Sequence, residues 1–96
     1  MLKIYNKEDL IKNLTSDNLV YLYFHLPGCR PCKRISPLVE QYGNNVDTIV
    51  YKLQIEDDPE LIRSLQVRIY PTMVGVKKEE TLFIAEGADQ ILEKLV

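Results

Sequence analysis

The stretch Pro27-Gly28-Cys29-Arg30-Pro31-Cys32-Lys33 holds the protein's only two cysteines, with two residues between them. Thiols at this spacing can close a small disulfide if the second lies one helical turn beyond the first. The residues on either side decide whether that condition is met. Leu19 to Leu26, just upstream, is nearly continuous in apolar and aromatic side chains. Its short length and its aromatic and β-branched content favour a buried central strand over a helix. Pro27-Gly28 stops that strand. Downstream, Ile35, Leu38, Val39 and Tyr42 recur on one helical face, so a helix should begin around Cys29 to Pro31. Pro37 interrupts it and predicts a kink. Gly43-Asn44-Asn45 is the expected end.

The flanks extend the same alternation. Leu2 to Tyr5 can form a first strand. Lys7 to Leu14 places Leu10, Ile11 and Leu14 on one side, with Asn6 as N-cap and Glu8 and Asp9 where the helix dipole favours them. Thr15 to Asn18 reads as a turn. Val46 to Ile55 is a strand. Asp58 caps a helix with Pro59 at its first position, and Leu61, Ile62 and Leu65 are its apolar side. Val67 to Tyr70 is extended. Thr72 to Val76 and Thr81 to Ala85 are strands joined across Lys77 to Glu80, a connection short enough only for an antiparallel hairpin. After Gly87, Ala88 to Val96 closes the chain as a helix bearing Ile91, Leu92 and Leu95. The order is β-α-β-α-β-α-β-β-α: an α/β fold with parallel units and a mixed sheet covered on both faces.

Composition narrows the function classes. The 96 residues suit one domain, and 46% hydrophobic with 27% charged residues suits a soluble globular chain. A formal net charge of -2, without a basic stripe, gives no footprint for nucleic acid. No apolar run has transmembrane length, and Lys3, Lys7, Glu8 and Asp9 fall inside any would-be signal core. A cytoplasmic monomer, without membrane association, is the expectation.

At a strand-to-helix junction, a Cys29 thiolate would face the unpaired N–H groups of the first helical turn, which favours thiolate over thiol. Arg30 and Lys33 act in the same direction. Pro31 omits an N–H where none is needed and restrains the loop. Cys29 is then the nucleophile, and Cys32, one turn deeper, the resolving thiol. The competing reading is two cysteines kept as small core hydrophobes. A metal is not expected: only Cys29, Cys32 and His25 are nearby ligands, short of a zinc set. His25 reads most simply as an edge-of-strand residue. Tyr70-Pro71-Thr72 is the other notable piece. Its proline cannot donate to a sheet and is either an ordinary loop residue or a cis site.

Together these residues resemble the thioredoxin family. The matching pieces are the dithiol stretch, Pro37, Val50 to Glu56, Val67 to Thr72, and Gly87 before the last helix, so the likeness runs through essentially the whole chain. It implies a single thioredoxin-like domain over 1–96, a three-layer α/β/α fold around a central mixed sheet. It implies a protein-disulfide reductase using a redox-active Cys29–Cys32 disulfide. Tyr70, a cis Pro71, Thr72 and Gly87 would shape a groove where an extended partner peptide pairs with the backbone. No bound cofactor is implied. Electrons would come from NADPH through a separate flavoprotein reductase, or from another thiol donor, and the partners would be disulfide-containing proteins.

Four positions depart from the family pattern. Gly28 stands where thioredoxins usually carry tryptophan, and Arg30 where they carry glycine. Tyr23 occupies the place of the buried acid six residues before the first cysteine, although Lys52 matches the lysine near that acid. A phenol, with an ordinary pKa of about 10, is a poor base for the proton of Cys32. The hairpin turn has Lys77 to Glu80 in place of a glycine. A glutaredoxin-like protein is the nearest alternative, but it would usually show a tyrosine in the dithiol loop and Gly-Gly before the last helix. An oxidant or isomerase, and a non-catalytic binding module on the same fold, are further alternatives.

Overall fold

The computed structural model describes residues 1–96. Its elements are β1 (Leu2–Ile4), α1 (Lys7–Leu14), β2 (Leu19–Phe24), α2 (Arg30–Asn45), β3 (Ile49–Leu53), a 3-10 turn (Ile55–Asp57), α3 (Pro59–Ser64), β4 (Thr72–Lys77), β5 (Glu80–Glu86) and α4 (Ala88–Lys94). The strands form one mixed sheet in the order β1-β3-β2-β4-β5. β3 runs parallel to both β1 and β2, whereas β4 is antiparallel to β2 and β5.

β2 lies at the centre and is covered on both faces, which is why its sequence is an almost unbroken apolar run. Alternate residues point opposite ways. Val20, Leu22 and Phe24 pack with Tyr51, Leu53, Val74 and Val76 against Leu10 of α1 and Ile62 of α3. Tyr23 faces the other way, among Ile35 and Val39 of α2, Val50, Met73, Ala85, and Ile91 of α4. Two helices on each face make the expected three layers.

Local signals place most boundaries. The Asn6 side chain accepts the Asp9 N–H at 2.9 Å, and Asp58 accepts that of Leu61 at 3.1 Å. The α2 helix ends at Asn45, the last residue of the expected Gly43-Asn44-Asn45 stop, while two other expectations need correction. Gly43 is buried where β1 crosses α2, and a Cβ there would lie 3.0 Å from Leu2 Cβ. β3 is shorter than Val46 to Ile55, because the Gln54 N–H donates to Asp57 Oδ2 at 2.7 Å and curls the chain into the 3-10 turn. Val67 is not extended onward from α3 but tied back to it. Its N–H donates to Ile62 O at 3.1 Å and that of Gln66 to Arg63 O at 3.1 Å, with Gln66 left-handed at φ 57. This is the Schellman pattern that closes a helix.

Candidate active site

Beyond Phe24 the chain turns through Pro27-Gly28 and enters α2. Gly28 sits at φ +76, a left-handed conformation in which side chains are strained, so the tryptophan of the family pattern would be ill placed on this backbone. Cys29 is the N-cap of α2, with extended backbone at φ -84 and ψ 113. Its sulfur does what a serine or aspartate oxygen usually does there and accepts the Cys32 N–H at 3.2 Å. Capping therefore holds Cys29 Sγ against the positive end of the helix dipole. Cys29 and Cys32 are joined in a disulfide, with Cα atoms 5.2 Å apart. Cys29 is half-buried, while Cys32, one turn in, is 2% exposed.

No acidic residue occupies the first turn of α2. Arg30 and Lys33 are exposed beside the disulfide, and neither is in an ion pair. Pro31 falls within the first turn, where its missing N–H costs no helical hydrogen bond, and the Cys32 amide, which has no intrahelical acceptor there, serves the sulfur.

The second half of the site arrives from β4 and α4. The Tyr70–Pro71 peptide is cis. The Tyr70 carbonyl oxygen lies 3.8 Å from Cys29 Sγ. The Gly87 N–H donates to Pro71 O at 2.8 Å, which binds the start of α4 to this loop. Thr72 is buried and its hydroxyl donates to Ile69 O at 2.5 Å, closing the turn from within. Tyr70 thus stands next to the disulfide with Pro71 and Gly87 beside it, whereas Thr72, expected in the groove, is turned into the core and does not line it. A groove opens there, walled by Pro31 and Arg34 of α2 on one side and by Glu86, Gly87 and Asp89 on the other.

Tyr23 and Lys52 face each other across β2 and β3 but do not bond. Tyr23 is fully buried. Its hydroxyl lies 2.7 Å from Ser36 Oγ and 3.5 Å from the Cys32 carbonyl oxygen. Burial pushes its phenol above the usual range and the charge of Glu40 adds to this, against an opposing effect of the Ser36 bond. Lys52 Nζ instead holds Glu40 at 2.9 Å. His25 stacks on Tyr23, centroids 5.5 Å apart. Burial first, and then the Lys52 charge, hold its imidazole below the usual histidine range and favour the neutral form. No cluster of three metal-ligating side chains is present.

Ser36 and Glu40 were not among the expected site residues. Their signal was available, since Cys32, Ser36 and Glu40 recur every four residues and so share one face of α2. Arg34, Glu86 and Asp89 carried no such signal.

The arrangement has the parts thiol–disulfide exchange requires: a sulfur at the surface with a helix terminus to hold its negative charge, and a second sulfur buried within bonding reach. The family model described as Thioredoxin matches residues 2–96. "Putative thioredoxin 2" of Streptomyces coelicolor is 29% identical over 83 residues, covering 85% of this chain and 62% of that protein. A thioredoxin of Buchnera aphidicola is 33% identical over 84 residues, covering 83% and 76%. The chain therefore spans about three fifths to three quarters of these relatives' lengths. The thioredoxin structure from Schistosoma mansoni superposes with a TM-score of 0.82 at 25% identity, covering 97% of this chain and 89% of that one. Thioredoxin f of spinach chloroplast gives 0.81 at 27%, covering 98% and 89%.

Proposed function

The chain belongs to the thioredoxin family, and from that premise we propose that it reduces disulfides in partner proteins. In the reduced protein the Cys29 thiolate attacks one sulfur of the partner's disulfide. That bond breaks, a mixed disulfide forms, and the partner's other sulfur leaves as a thiolate. The Cys32 thiolate then attacks Cys29 Sγ and expels the partner's remaining sulfur. Two electrons have passed to the partner, and the protein is left with the Cys29–Cys32 bond seen here. Two electrons from NADPH, through a separate flavoprotein reductase or another thiol donor, restore the dithiol. The setting is the cytoplasm.

The observation that carries this reading is the Cys29 sulfur capping α2, with the buried Cys32 one turn behind it. In the first step, the same Cys32 amide and helix dipole that touch the sulfur now stabilise its thiolate. Arg30 and Lys33 add to that field, while Gly28 and Pro31 hold the loop. Tyr70, Pro71 and Gly87 line the docking groove, with Thr72 buried behind them. Tyr23 fills the space beneath Cys32 without acting as a base, and Lys52 is committed to Glu40.

Insulin reduction in the presence of dithiothreitol tests it. The wild-type protein accelerates precipitation of insulin chains. Cys29→Ser abolishes the acceleration, and Cys32→Ser accumulates mixed disulfides that do not turn over. Unchanged turnover in Cys29→Ser would sink the proposal.

A second reading, as an oxidant or isomerase, is favoured by the unpaired cations at Cys29 and by the lack of a carboxylate on Tyr23's position. Both stabilise the reduced form. Equilibration with a thiol buffer separates the two. A potential near about -270 mV fits the reductase, and one near about -180 to -120 mV fits the alternative.

A further inference from the structure

The two walls of the groove carry opposite charges that do not meet. Arg34 stands on the α2 wall, with Arg30 and Lys33 beside it on the same helical turns. Glu86 and Asp89 stand on the opposite wall, where β5 passes into α4. All five side chains are exposed. The ion pairs of the protein join Lys3 to Asp9, Lys52 to Glu40, and Lys77 and Lys78 to Asp17, so none of the five is neutralised by a neighbour. Between the walls lie Ile69, Tyr70 and Pro71, with Cys29 Sγ at the edge beside the Tyr70 carbonyl.

A cation on one wall and acids on the other, held apart across an open groove, form a fixed dipole over the place where the partner's disulfide must lie. Such a field costs some stability: three cations in the opening turns of a helix oppose its dipole. A bound segment of complementary polarity would relieve the unpaired charges on both walls at once. A segment of reversed polarity would place like charges face to face.

We propose that this groove selects disulfide-bearing segments by charge order, taking carboxylate side chains against Arg34 and lysine or arginine against Glu86 and Asp89. The inference rests on the reductase reading above and names the substrate class of that same site. The selected step is the first attack, in which the Cys29 thiolate breaks the segment's S–S bond and the distal sulfur departs as thiolate. Electrons for repeated turnover come from dithiothreitol in the assay.

The test uses reporter peptides with one common core around a mixed disulfide. One carries glutamates before the cysteine and lysines after it, a second has the reverse order, and a third has glutamine on both sides. For the wild-type protein one charged order should exceed the other by about tenfold in kcat/KM, with the neutral peptide between them. High salt should narrow the gap by screening. Arg34→Glu combined with Glu86→Lys and Asp89→Lys, which exchanges every charge lining the groove, should then invert the preference, while Arg34→Lys should retain it. A folding defect would slow all peptides alike and could not invert their order. Equal rates for the two charged peptides overturn the inference while leaving the reductase reading intact, as does a preference the wall exchange leaves unaltered. Failure to reduce any of the peptides removes the reductase reading, and the charge selection with it.

Discussion

The Tyr23 hydroxyl lies 2.7 Å from Ser36 Oγ, so a pair of neutral hydroxyls occupies the place beneath Cys32 where a buried acid was the family expectation. Burial raises the Tyr23 phenol above its usual value. It is therefore neutral throughout the range in which thiols titrate, and its contribution is a hydrogen bond and packing.

Tyr23→Phe should accordingly keep the pH profile of disulfide reduction between about pH 6 and 9. It should cost about 1 kcal/mol of stability from the lost hydroxyl bond, read as a lower denaturant midpoint. A shift of the profile by the substitution would show that the phenol does take part in proton transfer.

Stability should fall steeply in alkali. Burial, followed by the hydrogen bond to Asp9, pushes Tyr51 up to about 12, and burial with the Tyr42 contact does the same for Tyr21. Tyr5, half-buried and donating to the Asp58 carboxylate, is raised as well, by burial first and then by that bond. Unfolded phenols ionise near about 10, so above that pH the native state retains protons that the unfolded chain releases. The stabilisation is complete below about pH 10 and is lost as pH rises towards the native values. Phenolate absorbance should appear together with loss of structure rather than before it, and Tyr51→Phe should flatten the alkaline decline.

Two turns carry side chains in left-handed backbone. Lys78 and Glu79, at φ 51 and 62, form the two-residue β4–β5 turn, and Gln66, at φ 57, closes α3. Glycine or asparagine is suited to both places. Lys78→Asn with Glu79→Gly, and separately Gln66→Gly, should each raise stability by about 1 kcal/mol in thermal or denaturant unfolding.

Gly75 should not tolerate even alanine. A Cβ there would overlap the Phe83 ring. The ring cannot swing aside freely, since Tyr21 meets it edge-on at 5.2 Å and Lys94 Nζ lies 4.7 Å above it. Gly75→Ala should cost about 1–3 kcal/mol, and a second change, Phe83→Leu, should recover part of that loss.

The sequence reading succeeded where the cause is local. Asn6 and Asp58 announce their helices because a cap acts within three residues. β2 is legible because a short, continuous apolar and aromatic run marks a strand buried on both faces, and α2 because its apolar residues recur at the helical period. It failed where distant residues intervene. The packing of Gly43 against Leu2 was not legible, and Lys52 could not be assigned to Glu40 until α2 was laid on β3.

The same division holds for the site. Cys29 and Cys32 could be recognised from sequence as a disulfide-forming pair, because their spacing and helix start involve neighbouring residues only. The Tyr70 carbonyl beside Cys29, the Ser36 partner of Tyr23, and the opposed charges of Arg34 and Asp89 came from the tertiary structure alone. Those relationships join residues far apart in the chain, and it is the packing of helices on the sheet that sets their separation and orientation. No periodicity or spacing along the sequence encodes such distances.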